Sequence, residues 1–139
     1  MGNRSTVQTV ALAFGAIYLI VGILGFIGPL IGNGGSFITI SQDKHTLLGI
    51  ADVNLLDNLV HLVIGVAGLA AASTVTNART YCQVFGVVLL LLGVLGIFAG
   101  NFLGVLPLGG GADIAIHLLS GAVLSYFGFA APVDARAAA

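Results

Sequence analysis

The chain has no glutamate and no tryptophan, one cysteine, three prolines, and only four basic and five acidic residues. Each shortage excludes something. Every acid is an aspartate, so no His-Glu-x-x-His zinc helix exists, and neither a Walker loop nor a Gly-x-Ser-x-Gly elbow occurs. The expectation is a non-enzymatic protein. A net charge of −1 offers no basic face to a phosphate backbone, which removes nucleic acid as a partner. Cys82 alone cannot close an internal disulfide and says nothing about redox compartment. Without tryptophan, any aromatic belt falls to Tyr18, Tyr81, Tyr126 and the phenylalanines. Charged residues make up 6%, against about 25% in ordinary globular domains, too few to clothe a water-soluble particle of 139 residues.

What is abundant is apolar surface: 58% hydrophobic residues and a mean hydropathy of +1.14. The reading is a single integral membrane domain over residues 1–139, surrounded by membrane lipid. Four runs are long enough for the roughly 20-residue helix that crosses a bilayer, at about 9–31, 55–72, 81–103 and 113–131. Backbone groups in hydrocarbon must be satisfied within their own segment, which selects helices. The stretch Gly32–Gly35 stops the first run, "STVTNART" (73–80) separates the second from the third, "PLGGGAD" (107–113) precedes the fourth and Pro132 closes it. The N-terminal "MGNRST" fits a myristoylation pattern, but a multi-span protein gains little from one acyl chain. The uncharged run of 5–42 is far longer than a signal-peptide core.

Arg4, Arg79 and Arg136 fall in segments that an even-span chain places on one side; Lys44 is opposite, with Asp43, Asp52, Asp57 and Asp113. The positive-inside rule then makes both termini cytoplasmic. The long outer loop, 32–54, contains "SFITISQDKHTLLGI" (36–50), whose alternation predicts a short β-hairpin turning at residues 42–44. His45, in this loop, is expected to face solvent.

The chain repeats itself. "FGAIYLIVGILGF" (14–26) aligns with "FGVVLLLLGVLGI" (85–97), and "DNLVHLVIG" (57–65) with "DIAIHLLSG" (113–121). Any two Leu/Gly-rich helices look alike, but Asp and His are rare here, and their recurrence at one spacing argues for duplication of a two-helix unit. Two spans per unit enter the membrane in the same direction, so the copies are expected about a pseudo-twofold axis along the membrane normal. The fold class is an all-α membrane protein, a four-helix bundle made of a doubled helical hairpin. Gly15, Gly22 and Gly25, with Gly86, Gly93 and Gly96, form stripes for close helix packing, and Gly100 extends the small-xxx-small pattern. The stripes suit contacts inside the bundle, with other membrane subunits, or with a second copy.

The chemistry-bearing residues are Asp57, His61, Asp113 and His117. Four residues apart on a helix is about 40° of rotation, so each Asp shares a face with its His. Both aspartates fall in a first helical turn, where the helix dipole favours a carboxylate, and Asn54 is placed to cap. Three readings follow. The aspartates cap helices and each histidine bonds its own Asp or a neighbouring carbonyl. Or the two halves converge, and two imidazoles with two carboxylates hold a divalent metal or share protons. Or the histidines turn outward and a neutral ring ligates a tetrapyrrole metal. None of these cofactors is required by the sequence.

From about residue 14 to 128 the chain resembles the small four-span bacterial membrane proteins filed as domain-of-unknown-function family 4383. The likeness is carried by "VNLLDNLVHLVIGVAGLAAA" (53–72), "ARTYCQVFGVVLLLLGVLG" (78–96) and "GVLPLGGGADIAIHLLSG" (104–121). Asn54, Asn58, His61, Asp113 and His117 fall on its pattern; an Asn usual after "LP" is replaced by the glycines at 109–111. The resemblance implies fold and membrane location and no activity. The role that follows is an accessory or scaffold subunit of a larger membrane complex, photosystem or respiratory assemblies being the analogy. The alternative is an ion-, metal- or proton-handling protein using the Asp/His pairs.

Overall fold

The computed structural model describes residues 4–27, 45–47, 51–102, 106–108 and 110–132. Four helices dominate: α1 (Thr6–Ile27), α2 (Leu55–Ala71), α3 (Val75–Phe98) and α4 (Gly111–Ser125), the last continued by a π-helical turn, Tyr126–Ala130. Two small antiparallel hairpins lie at one end. In the first, β1 (His45–Leu47) pairs with β2 (Ala51–Val53); in the second, β3 (Asn101–Phe102) pairs with β4 (Leu106–Pro107). Thr6–Ile27, Val75–Phe98 and Gly111–Ala130 are long and apolar enough to cross a membrane, while α2, at 17 residues, is apolar but shorter.

Each helix start has a local cause. Ser5 and Gln8 form a reciprocal box at α1: the Ser5 N–H donates to Gln8 Oε1 at 3.0 Å and the Gln8 N–H to Ser5 Oγ at 3.4 Å. Asn54 caps α2 in the same way with Asp57, and Thr74 Oγ1 accepts the Asn77 N–H at the start of α3. The sequence boundary of α3 is therefore corrected. Thr76, Asn77, Arg79 and Thr80 look like connector, yet they are helical, and the link from α2 is only a tight turn ending at Thr74. Polar residues at a helix end mimic a loop in composition.

Three further expectations bear on the outer end. A short antiparallel hairpin is present at the end of the outer loop, His45 pairing with Val53 and Leu47 with Ala51. Residues 28–44, including the expected turn and the small-residue run at 28–32, lie outside the described residues, as does the His45 side chain. Gly100 is not a helix-packing residue. Helix α3 ends at Phe98 with Ala99 as its cap, and Gly100 is exposed in the turn to β3, its carbonyl accepting the Leu108 N–H at 3.2 Å.

The other six glycines set the architecture. A methyl on Gly15 would lie 2.6 Å from the Leu69 nitrogen, and one on Gly86 2.6 Å from the Ser125 nitrogen. Gly22 meets Leu62 as Gly93 meets Leu118; Gly25 meets Asn58, and Gly96 meets Leu108 and Ile114. Gly65 lies against Leu19, and Gly121 against Leu90. So α1 packs antiparallel on α2, and α3 on α4, at backbone contact along their length, and the stripes are used up inside each hairpin. The hairpins meet chiefly through α1 and α3.

The packed core, with Ala11, Ala78, Cys82, Leu89 and Leu124 essentially inaccessible, fills the half of the bundle near the α2–α3 turn. Large apolar side chains cover the outside: Phe98 is 83% exposed, Leu119 68% and Val63 65%. Water would penalise such a surface; lipid tails solvate it.

Candidate functional site

In the other half of the bundle, beneath the two β-hairpins, α1, α2 and α4 enclose a cavity of about 350 Å³. It brings together all four residues singled out by the repeat: Asp57 and His61 from α2, Asp113 and His117 from α4. The roof is apolar and buried, formed by Leu47, Val53 and Pro107. The outward orientation that a tetrapyrrole ligand would need is not adopted; both rings line the interior cavity.

Both histidines are fixed in the same way. The His61 ring Nδ1 lies 2.6 Å from the Asp57 carbonyl oxygen, and His117 Nδ1 lies 2.8 Å from the Asp113 carbonyl oxygen. A carbonyl only accepts, so Nδ1 carries the hydrogen, and Nε2 is left as the atom that accepts a proton, a donor or a metal. The first of the three sequence readings is thus half met: each histidine does bond its own Asp, through the backbone. That bond orients the ring toward the cavity and leaves its reactive nitrogen available. The aspartates sit in the first turns of their helices, as expected. Asp57 Oδ2 accepts the Asn54 N–H at 3.3 Å, and Asn54 Oδ1 accepts the Asp57 N–H at 3.0 Å. Among the described residues no three His, Cys, Asp or Glu side chains converge tightly enough to hold a metal ion.

Two site residues have no signal in the Asp/His motif. The Tyr18 ring, 6% exposed, stacks on His61 with centroids 5.4 Å apart and planes 24° from parallel. Its hydroxyl faces Ser120 of α4, but without the geometry of a hydrogen bond, so the buried oxygen has no partner. The corresponding positions of the other repeat hold Leu89 and Ile64, both buried and apolar. Comparing the two copies position by position would have exposed this one-sided hydroxyl pair; hydropathy alone scores Tyr for Leu as a neutral swap.

A bundle of membrane-type helices with a largely apolar cavity that gathers two Asp/His pairs under a capped end is the class these observations define. The chain belongs to the family described as Domain of unknown function (DUF4383), whose model matches residues 8–130. No curated protein and no solved structure matches it.

Proposed function

We propose that the chain is a four-span integral membrane protein with both termini cytoplasmic, built by duplication of one helical hairpin about a pseudo-twofold axis, and that it works without catalysis as a proton- or cation-binding protein. The duplication is supported by the contacts: the glycines and leucines that align between copies meet aligned partners in both hairpins. The inner ends match too, Gln8 Nε2 donating to the Ala72 carbonyl at 3.1 Å and Arg79 Nε to the Gly128 carbonyl at 2.9 Å. The short α2 suits a span whose outer end lies under the β-hairpins, since 17 residues rise about 26 Å against a hydrocarbon core of about 30 Å.

The observation that carries the functional reading is the shared histidine geometry. Two Nε2 atoms, each forced to be the acceptor by its Nδ1–H bond, and two carboxylates line one cavity. A proton or cation held at either Nε2 lies in the same cavity as the two Asp side chains, inside the bundle rather than against lipid. The packed half below argues for binding, not for a continuous channel. Nitrogen-15 NMR of histidine-labelled protein in detergent tests this: two of the three rings should show the Nδ1–H form with Nε2 as the unprotonated nitrogen. Rings of the opposite tautomer would end the proposal.

The accessory-subunit reading stands second, supported by the apolar outward face that α3 keeps up to Phe98. Native electrophoresis after mild solubilisation separates the two. Migration with a large complex favours the subunit, and a small free species favours an autonomous binding protein.

A further inference from the structure

We infer that the cavity takes a neutral, largely apolar molecule bearing a hydroxyl, of the alkylphenol kind, whose O–H donates to a histidine Nε2. This rests on the acceptor geometry proposed above and names a ligand class for it. The acceptors come first. His61 Nδ1 and His117 Nδ1 are each tied to a carbonyl one turn back on the same helix, at 2.6 and 2.8 Å. Nε2 stands across the imidazole from that bond, so it is directed away from the carbonyl. A nitrogen in this state accepts and cannot donate, and neither Nε2 has a hydrogen-bond partner among the described residues. His61 is held a second time. Tyr18 stacks on its ring with centroids 5.4 Å apart, and Phe14 stacks on Tyr18 in turn at 6.5 Å, both with planes 24° from parallel. This acceptor is therefore in place before any guest arrives, so less ordering opposes binding.

The body of the ligand comes from the rest of the wall, which is mainly carbon. Phe14, Val21 and Ile116 line the sides, and Leu47 and Pro107 belong to the roof. Burying an unpaired charge against such a wall is costly, and no lysine or arginine stands among the described lining residues to meet an anion. A neutral guest gains from each carbon it removes from water. Plain hydrocarbon would leave both Nε2 acceptors unmet, and a hydroxyl corrects that. A phenol is a stronger donor than an aliphatic alcohol, and its flat ring can pack against Phe14. At about 350 Å³ the cavity lies near the lower end of small-molecule sites, which run from roughly 300 to 1,000 Å³. The guest is small.

The test uses the full-length protein in lipid nanodiscs, with tritiated 4-propylphenol as probe and empty nanodiscs to subtract partition into lipid. Its methyl ether, 4-propylanisole, keeps the body and loses the O–H; 2-phenylethylammonium is the cationic competitor. The phenol should bind about tenfold tighter than the ether, the worth of one hydrogen bond to an unmet acceptor, and tighter than the ammonium. His61→Phe with His117→Phe should remove the preference for phenol over ether. Val21→Phe, which fills the cavity from α1, should weaken both severalfold. Should the histidine double variant not fold, nitrogen-15 NMR of the unaltered protein decides: saturating phenol should move a histidine Nε2 resonance to its hydrogen-bonded position, and the ether should not. Equal affinity for phenol and ether, no saturable binding of either, tighter binding of the ammonium, or Nε2 resonances that phenol leaves in place overturns the ligand class. The Nδ1–H form in the free protein decides separately whether the acceptor site itself stands.

Discussion

The first hairpin, α1 with α2, and the second, α3 with α4, solve the same packing problem with glycines at aligned positions, yet their side chains differ at telling places. Helix α2 begins with Asn54 in a reciprocal cap, whereas α4 begins at Gly110 with no side-chain cap. Gly25 faces a buried Asn58 whose Oδ1 lacks a partner; Gly96 faces Ile114. Tyr18 stands opposite Ser120, while Leu89 and Ile64 hold the matching positions. The backbone contacts are common to both halves and make the fold. Polar differences fall on both sides: Gln83 and Ser125 of the second hairpin stand where the first has Leu12 and Leu69, while Tyr18 and Ser120 stand at the cavity.

The glycines give the largest way to break the comparison. Gly15→Ala and Gly86→Ala each place a methyl 2.6 Å from a backbone nitrogen of the facing helix, so each should cost about 1–3 kcal/mol as the helices are forced apart. Thermal unfolding in detergent should show the two losses to be similar; a loss confined to one hairpin would mean that the match in geometry is not a match in energy. Next comes the cap. Asn54→Ala should cost about 1 kcal/mol by removing the acceptor for the Asp57 N–H, with no counterpart change at Gly110. Smaller again, Tyr18→Phe imports the apolar character of Leu89 and should leave the empty protein unchanged or more stable by up to about 1 kcal/mol, because the hydroxyl it deletes is buried without a partner. The smallest effect is a transplant. Gly110 has extended backbone with φ −77° and only ordinary contact at 3.7 Å for an added Cβ. Gly110→Asn should therefore gain a few tenths of a kcal/mol by reproducing the Asn54 cap, seen as a small rise in Tm.

Much of this was legible before any coordinates. Apolar runs located the helices, and the glycine spacing marked the stripes where two backbones can meet, but not whether they meet inside the bundle, on another subunit or on a second copy; the facing residues settle that. Asp57, His61, Asp113 and His117 stood out because ionisable residues are costly in lipid, and the fold does gather them. Other features were hidden for physical reasons. The first turns of α3 are polar because they lie at the end of the bundle, so composition could not tell helix from connector. The Ser5-x-x-Gln8 box was written in the sequence and is an ordinary capping signal.

A chamber with two matched walls would offer a guest two equivalent ways round. Tyr18 and Ser120 stand on one side only, with Leu89 and Ile64 at the mirrored stations. That single pair of hydroxyls makes the two hairpins unlike at matched stations, so the bundle has a front and a back although its backbone contacts repeat.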